Sequence, residues 1–182
     1  MKTDLILLAS GYSRRFQENK LLYELDGMPL IAHTLHKLSA LKPHSLIVVT
    51  QYKEIEALAK DYGAVIVSNT QARKGQSSSI RLGIKRSDAD QAMLCVADQP
   101  YLRLETCKKL LELADGEHII CVTCKGILRN PAIFPRKYYQ ELLALTAEQG
   151  GKQILKKYRE KVIAVPCDLD EVRDIDKRID LK

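Results

Sequence analysis

The stretch DLILLASGYSRRFQENKLL, Asp4 to Leu22, decides the fold that this sequence predicts. Its first part, Asp4–Ala9, is almost continuously apolar, which is typical of a strand buried on both faces of a parallel sheet. Small residues follow, and then Arg15 and Lys20 lie close together in sequence. Backbone N–H groups in a small-residue turn can face anionic oxygens, and both cations can bind phosphate. The other interpretation is a solvated basic loop, and these residues alone leave both open.

Apolar runs and helical stretches alternate over about the first 115 residues. Such alternation predicts right-handed crossovers onto a mostly parallel sheet, and therefore an α/β fold in a single domain over residues 1–182. The predicted strands are Asp4–Ala9, Ser45–Thr50, Ala64–Ser68 and Gln91–Ala97, and the predicted helices are Pro29–Leu41, Lys53–Gly63, Ser77–Ser87 and Arg103–Ala114. Downstream, HIICVTC and NPAIFP are predicted strands around a KGILR turn, with antiparallel pairing one arrangement. KVIAVP is a late strand, and RKYYQELLALTA and GGKQILKKY are predicted helices.

The composition is that of a soluble globular protein, with 46% hydrophobic and 29% charged residues. No apolar run reaches the roughly 18 residues that a membrane span requires, so we expect no membrane partner and a cytoplasmic location. The net charge of +6 is spread along the chain. This charge suits phosphorylated small molecules, and the absence of a long basic run argues against a nucleic-acid partner.

The five cysteines do not predict a disulfide framework, because their number is odd and no signal peptide precedes them. Cys121 and Cys124 form a C-x-x-C motif, but they lie on a predicted strand. Residues three apart on a strand point to opposite faces, so this pair favours two structural thiols over a zinc or redox site.

Ligands of open parallel sheets bind at the carboxyl ends of the strands, and two further loops there carry polar groups. Asp98 ends a predicted strand, and its carboxylate suits a hard cation that would accompany a triphosphate. The segment from Gly75 to Ser79 combines a turn, three serines and a helix start. We expect a serine as the N-cap of that helix and an N-terminus able to bind an anion.

These motifs together resemble the molybdopterin-type nucleotidyltransferases. LLASGYSRRFQENKLLYELDGMPLI resembles the family's first signature, GQSSSIRLGI its glycine–serine motif, and DQPYL its metal-binding loop. RNPAIFP, EQGGKQIL and DIDKRIDL resemble its later segments more loosely. The resemblance covers nearly the whole chain and implies a Rossmann-like, three-layer nucleotidyltransferase fold. The serine motif with DQP is most similar to the branch that uses CTP and the molybdenum cofactor.

The resemblance implies a role for each matching position. It implies that Arg15 and Lys20 contact the triphosphate, that Asp98 binds Mg²⁺, and that Asp176, or Asp174, is a second candidate for the metal. It also implies a group of positions that hold the nucleotide: Leu8, Ala9, Ser10, Gly11, Gly75, Gln76, Ser77 and Ser78.

The implied reaction transfers CMP from CTP to the phosphate of a pterin cofactor, with a molybdenum hydroxylase as the receiver of the product. The second half of the chain departs from the family pattern at Arg129, Asn130, Ala147, Glu148 and Lys152. These departures concern the acceptor. They leave open a sugar phosphate or another phosphorylated acceptor, or a non-catalytic partner that delivers a cofactor.

Overall fold

The computed structural model describes residues 1–12 and 19–175, and it is built around a seven-stranded sheet with the strand order β5-β4-β1-β6-β8-β7-β9. The strands are β1 (Thr3–Ala9), β2 (Glu24–Leu25), β3 (Met28–Pro29), β4 (Ser45–Thr50), β5 (Val65–Ser68), β6 (Gln91–Val96), β7 (Ile119–Cys124), β8 (Ile127–Pro135) and β9 (Val162–Pro166). The helices are α1 (Leu30–Ala40), α2 (Lys53–Lys60), α3 (Gln76–Arg86), α4 (Leu104–Leu113), α5 (Tyr139–Leu143) and α6 (Lys152–Lys157).

The first half of the chain forms the parallel part of the sheet, as the alternation of strands and helices predicts. β1 lies between β4 and β6 and pairs with both in parallel, so Leu8 is opposite Val49 on one side and Val96 on the other. β5 continues the parallel order beside β4. The carboxyl ends of β1, β4 and β6 therefore meet at one edge of the sheet.

The second half of the chain adds the antiparallel part. β8 pairs antiparallel with both β6 and β7, and β9 returns parallel to β7. The antiparallel arrangement of the HIICVTC and NPAIFP strands is confirmed. The predicted KGILR turn is too long: only Lys125 and Gly126 lie between the two strands, because β8 begins at Ile127.

Two apolar layers cover the two faces of the sheet, and together they make the predicted three-layer sandwich. Along β1, Leu5 and Leu7 face the side covered by α1, α2 and α4, whereas Ile6 faces the side covered by α3, α5 and α6. The C-x-x-C pair divides as predicted, with Cys124 in the first layer and Cys121 in the second. No helix in the described ranges combines the length and apolar character needed to cross a bilayer.

Local turn chemistry accounts for the differences between the predicted and observed elements. The β2–β3 hairpin, whose strands have two residues each, has no periodic pattern that would predict it. The predicted serine N-cap of α3 is wrong: the N-cap is Gly75, which has no side chain that could cap the helix. The serine hydroxyls do not cap because the helix begins at Gln76, which places all three serines inside its first turn.

Candidate active site

A cavity of about 460 Å³ opens at the carboxyl ends of β1 and β6. It lies at the sheet edge that the sequence predicts for the ligand. Its wall consists of the loop after β1, the start of α3, the loop after β6 and part of the α5–α6 loop: Leu8, Ala9, Ser10, Gly11, Tyr12, Lys20, Leu21, Ala72, Gly75, Gln76, Ser79, Val96, Ala97, Asp98 and Glu148.

The loop after β1 is held in place by the end of β4. Three consecutive side chains there donate hydrogen bonds to three consecutive carbonyl groups: Thr50 Oγ1 to Ala9 at 2.9 Å, Gln51 Nε2 to Ser10 at 2.7 Å, and Tyr52 Oη to Gly11 at 2.7 Å. The Ser10 hydroxyl donates in turn to the Val49 carbonyl at 3.1 Å. The carbonyl groups of the loop are thus satisfied by the protein, which orders a turn that would otherwise be free to move.

The pKa of the Tyr52 hydroxyl is raised by burial and, to a smaller extent, by the nearby Tyr12. A raised pKa keeps the phenol protonated, and therefore a hydrogen-bond donor to Gly11, to higher pH than an exposed tyrosine. The three hydrogen bonds that hold the loop after β1 therefore do not change with pH over the physiological range.

Lys20 and Asp98 form an ion pair at the floor of the cavity. Lys20 Nζ lies 2.8 Å from Asp98 Oδ2, and the two side chains are only 13% and 23% exposed. The same ammonium group donates to the Ile175 carbonyl at 2.8 Å. Because both charges are largely withdrawn from water, their attraction is stronger than that of a surface pair.

The C-terminal part of the described chain supports the Asp98 loop. The Ile175 N–H donates to the Asp98 carbonyl at 2.9 Å, and Gln99 Nε2 donates to Asp174 Oδ1 at 2.8 Å. Glu171 is buried and accepts a hydrogen bond from Thr106 Oγ1 at 2.6 Å, which ties this segment to α4. Asp174 is thereby placed beside the same loop as Asp98.

The loop before α6 packs over the start of α3 and accepts hydrogen bonds from its first N–H groups. The Gln76 N–H donates to Glu148 Oε2 at 3.3 Å, and the Ser77 N–H donates to the Ala147 carbonyl at 3.2 Å. These two N–H groups are the ones that a bound anion would use at a helix N-terminus. The helix therefore presents the side chains of Gln76 and Ser79 to the cavity instead.

The three serines of α3 have different surroundings. All three are buried, but only Ser79 lines the cavity. The Ser78 hydroxyl donates to the Gly75 carbonyl at 2.8 Å, and Asn69 Nδ2 donates to the Ser78 and Ser79 hydroxyls at 3.0 and 2.9 Å. The helical repeat explains this, because residues three apart share a face and Ser79 follows Gln76 by three.

A second cavity of about 250 Å³ adjoins the first, and Gln76, Val96 and Asp98 line both. Its other walls carry mainly polar and charged groups, namely Gln99, Arg129, Asn130, Lys152 and Asp174, together with Ile127, Leu128 and Leu155. The Nε atom of Arg129 is buried and has no hydrogen-bond partner within the described ranges. The second cavity therefore places two cations, Arg129 and Lys152, beside two carboxylates, Asp98 and Asp174.

The structure brings most of the predicted site residues to one place. Two of them, Arg15 and Asp176, lie outside the described residues. On the wall of the first cavity lie Leu8, Ala9, Ser10, Gly11, Lys20, Gly75, Gln76 and Asp98. Their contacts with a nucleotide remain a prediction.

Sequence reasoning missed the side chains that hold the site together. Gln51 and Tyr52 directly follow the predicted strand Ser45–Thr50. The rule that pointed to Asp98 would have pointed to them, because they too lie at the carboxyl end of a parallel strand. Glu148 reaches the cavity from a distant loop, and the sequence marks it only as a departure from the family pattern.

Comparison with known proteins gives a family model that matches residues 5–162, the MobA-like NTP transferase domain. The purine catabolism protein PucB of Bacillus subtilis is 28% identical over 163 residues, which is 83% of this chain and 79% of PucB. A probable molybdenum cofactor guanylyltransferase of Pyrococcus horikoshii is 31% identical over 166 residues, 88% of this chain and 83% of that protein.

Other similar proteins are longer or more distant in sequence. The bifunctional protein GlmU of Buchnera aphidicola is 24% identical over 163 residues; the match covers 86% of this chain but only 35% of the length of GlmU. A nucleotidyl transferase from Methanothermobacter thermautotroptrophicus superposes with a TM-score of 0.84 at 20% identity, over 98% of this chain and 94% of that one. This superposition shows that the two chains share a fold.

Proposed function

Since the chain belongs to the MobA-like NTP transferase family, we propose that it transfers CMP from CTP to the phosphate of molybdenum cofactor and releases pyrophosphate. The observation that carries the proposal is the Lys20–Asp98 pair at the junction of the two cavities. One cavity has the small-residue loop suited to a nucleotide, and the other has the cations suited to a phosphorylated acceptor. The reacting phosphorus would lie where they meet.

The chain's own residues would act by positioning and charge neutralisation. The loop Ala9–Gly11, clamped from β4, approaches the nucleotide with its backbone. When a nucleotide binds, the Lys20 ammonium group would exchange Asp98 for the phosphates as its partner. Arg15, which matches the family's first signature, would provide a second cation. An arginine can bind two phosphate oxygens with its planar fork, whereas lysine supplies a mobile point charge.

In the second cavity, Asp98 and Asp174 are two described residues whose carboxylates suit a hard divalent cation. Both carboxylates line the second cavity, and their oxygens are the ligands that Mg²⁺ prefers. We propose Mg²⁺ as the cofactor, with Asp176 as a further candidate ligand close by in sequence. When bound, Mg²⁺ neutralises phosphate charge and orients oxygens for an in-line displacement.

The chemical step needs no general base from the protein. An oxygen of the acceptor phosphate attacks the α-phosphorus of CTP, and the bond from the α-phosphorus to the oxygen bridging to the β-phosphate breaks. That bridging oxygen leaves with pyrophosphate. A phosphate monoester has a second pKa of about 6, so its oxygens are already largely deprotonated near neutral pH. The proposed reaction therefore depends on cations that neutralise the phosphate charges, and it requires no histidine as a base.

Arg129 and Lys152 are suited to hold the acceptor phosphate. They replace family residues at the departures in the second half of the chain, and both line the second cavity. The buried Arg129 Nε group, which has no hydrogen-bond partner among the described residues, gains one when an anion enters. The same chemistry would accept another phosphorylated metabolite, such as a sugar phosphate.

One observation favours a second nucleotide. The Pyrococcus horikoshii relative is named as a guanylyltransferase, which makes GTP the alternative to CTP. The chain would be a delivery partner rather than an enzyme if it bound nucleotide and cofactor tightly without turnover. A molybdenum hydroxylase is the proposed receiver of the product.

The test measures pyrophosphate release from each of the four NTPs with Mg²⁺ and phosphorylated pterin cofactor or sugar phosphates as acceptors. We expect release with CTP and the pterin cofactor, and losses of about 100- to 1000-fold in Lys20→Ala and Asp98→Ala, the range seen when one charge-stabilising group is removed. Lys137→Ala is the matched control, because Lys137 forms a pair of similar length with Glu117, at 2.7 Å, on the exposed surface.

Full activity in both site variants would refute the site. Activity with GTP alone would replace CTP in the proposal. Nucleotide binding without pyrophosphate release from any acceptor would favour the delivery role.

A further inference from the structure

A second cluster of ionisable side chains lies at the opposite edge of the sheet from the candidate active site. Asp4 is at the start of β1, His44 directly precedes β4, and Asp88 lies in the connection between α3 and β6. Ala9 on the cavity wall follows Asp4 by five positions along β1, which at the usual strand rise places the two residues about 17 Å apart. The proposed nucleotidyl transfer uses none of these three residues.

The three side chains converge closely. One ligand atom from each, an imidazole nitrogen and two carboxylate oxygens, lies within 4.8 Å of the other two. His44 Nε2 is 3.1 Å from Asp88 Oδ1. Two ligands of a tetrahedral ion with bonds of about 2.0–2.2 Å lie about 3.4 Å apart, so the cluster needs to close by no more than about 1.5 Å on binding.

Asp4 provides an independent indication that a ligand is needed. Its side chain is 0% exposed, and one oxygen, Oδ2, accepts a hydrogen bond from the Ser87 hydroxyl at 2.7 Å. The other oxygen, Oδ1, is buried and has no hydrogen-bond partner in the part of the chain that the structure describes. A buried carboxylate with an unsatisfied oxygen is costly unless a proton, a water molecule or a cation completes it.

We propose that Asp4, His44 and Asp88 bind a divalent transition-metal ion such as Zn²⁺. Two carboxylates and an imidazole form a mixed oxygen and nitrogen donor set, which suits zinc and its first-row neighbours better than magnesium. Two negative charges are present to compensate the ion. The side chain of His44 is 31% exposed and that of Asp88 is 78% exposed, so the ion can enter from solvent.

The metal would have a structural role. The cluster joins the first strand of the sheet to the connections that precede its two neighbours, β4 and β6. An ion held by all three segments binds the folded chain and not the unfolded one, and it therefore raises the melting temperature. Lys2 is close enough to interact electrostatically with Asp88 and offsets part of the negative charge of the site.

The test is isothermal titration of the purified protein with Zn²⁺, with thermal unfolding measured in parallel. We expect His44→Gln and Asp4→Asn to lose one equivalent of zinc, or to bind it at least tenfold more weakly, and to lose the zinc-dependent rise in melting temperature. Co²⁺ as a spectroscopic probe should give visible absorption bands in the wild type that are absent in His44→Gln.

The control is His118→Gln. His118 forms a comparable pair with Asp115, at 2.7 Å between Nδ1 and Oδ2, but belongs to no group of three such ligands among residues 1–12 and 19–175. Zinc bound by cysteines or by Asp98 is the same in all variants and cancels in the comparison. Equal zinc binding by wild type, His44→Gln and His118→Gln overturns the proposal, and so does a bound ion whose loss leaves the melting temperature unchanged. Pyrophosphate release should be the same in His44→Gln and wild type, which separates this test from that of the active site.

Discussion

Replacing Gly75 by alanine should destabilise the protein by more than backbone strain alone. Gly75 precedes α3 with φ +89° and ψ −177°, a conformation open essentially only to glycine. An added Cβ would lie 2.4 Å from the Ala147 carbonyl oxygen and 2.8 Å from the Glu148 backbone nitrogen. These are backbone atoms, so the whole loop before α6 has to move away from the start of α3.

The expected cost combines strain with lost contacts. The backbone conformation costs an alanine about 1–3 kcal/mol. Moving the loop also breaks the hydrogen bonds from Gln76 N–H to Glu148 and from Ser77 N–H to Ala147, each worth about 0.5–1.5 kcal/mol. We expect a total loss of about 3–5 kcal/mol in the free energy of unfolding.

The assay is urea denaturation of wild type, Gly75→Ala and the matched control Gly63→Ala. Gly63 also has a positive φ, +71°, but no atom in the described part of the chain lies within 4 Å of its added Cβ, so this control reports strain alone at about 1–2 kcal/mol. If the free energies of unfolding of the two variants differ by less than about 0.5 kcal/mol, which is the error expected for independent sites, the packing of the loop against the start of α3 is refuted.

Two further predictions concern single groups. Tyr52→Phe removes the 2.7 Å hydrogen bond to the Gly11 carbonyl, which is worth about 0.5–1.5 kcal/mol. Because that bond orders the loop after β1, its loss should weaken nucleotide affinity by roughly 2- to 12-fold. Unchanged affinity in a binding titration would show that the bond does not order the loop. Burial, aided by the charge of Glu171, raises the pKa of the Cys167 thiol to about 11, so its thiolate fraction falls as pH drops below that value. At pH 8 the thiolate fraction is about 0.1%, against about a quarter for a free cysteine. Iodoacetamide should therefore react with native Cys167 roughly 200-fold more slowly than with free cysteine, and the rate should rise about tenfold by pH 9. A rate like that of free cysteine would contradict the partly buried environment of this thiol.

Much of the site could be predicted because its residues follow strands directly. Ala9, Ser10 and Gly11 come after β1, and Asp98 comes after β6, so the parallel order of the strands brings both loops to one edge without further information. The N-cap of α3 could not be predicted in this way. Whether a serine caps a helix depends on where the first turn begins, and here Gly75 and the distant Ala147 decided that.

Residues that meet across long sequence separations were also beyond local reasoning. Glu148 reaches α3, and Ile175 reaches the Asp98 loop, only after α5, α6 and β9 have packed. The Asp4–His44–Asp88 cluster is another example, because its members are separated by about 40 residues each and share no motif.

The sequence by itself determined the α/β class, the central position of β1 and the edge of the sheet at which the ligand residues gather. It could do so because hydrophobic periodicity identifies the strands locally, and in a parallel sheet the loops at the carboxyl ends of the strands lie along the same edge. Only the tertiary structure decided which polar groups are already satisfied and which are not. Hydrogen-bond satisfaction depends on every neighbour in space. The pairing of Lys20 with Asp98, the contact of Glu148 with the start of α3, and the Asp4 oxygen that has no partner among residues 1–12 and 19–175 therefore emerge only in the folded chain.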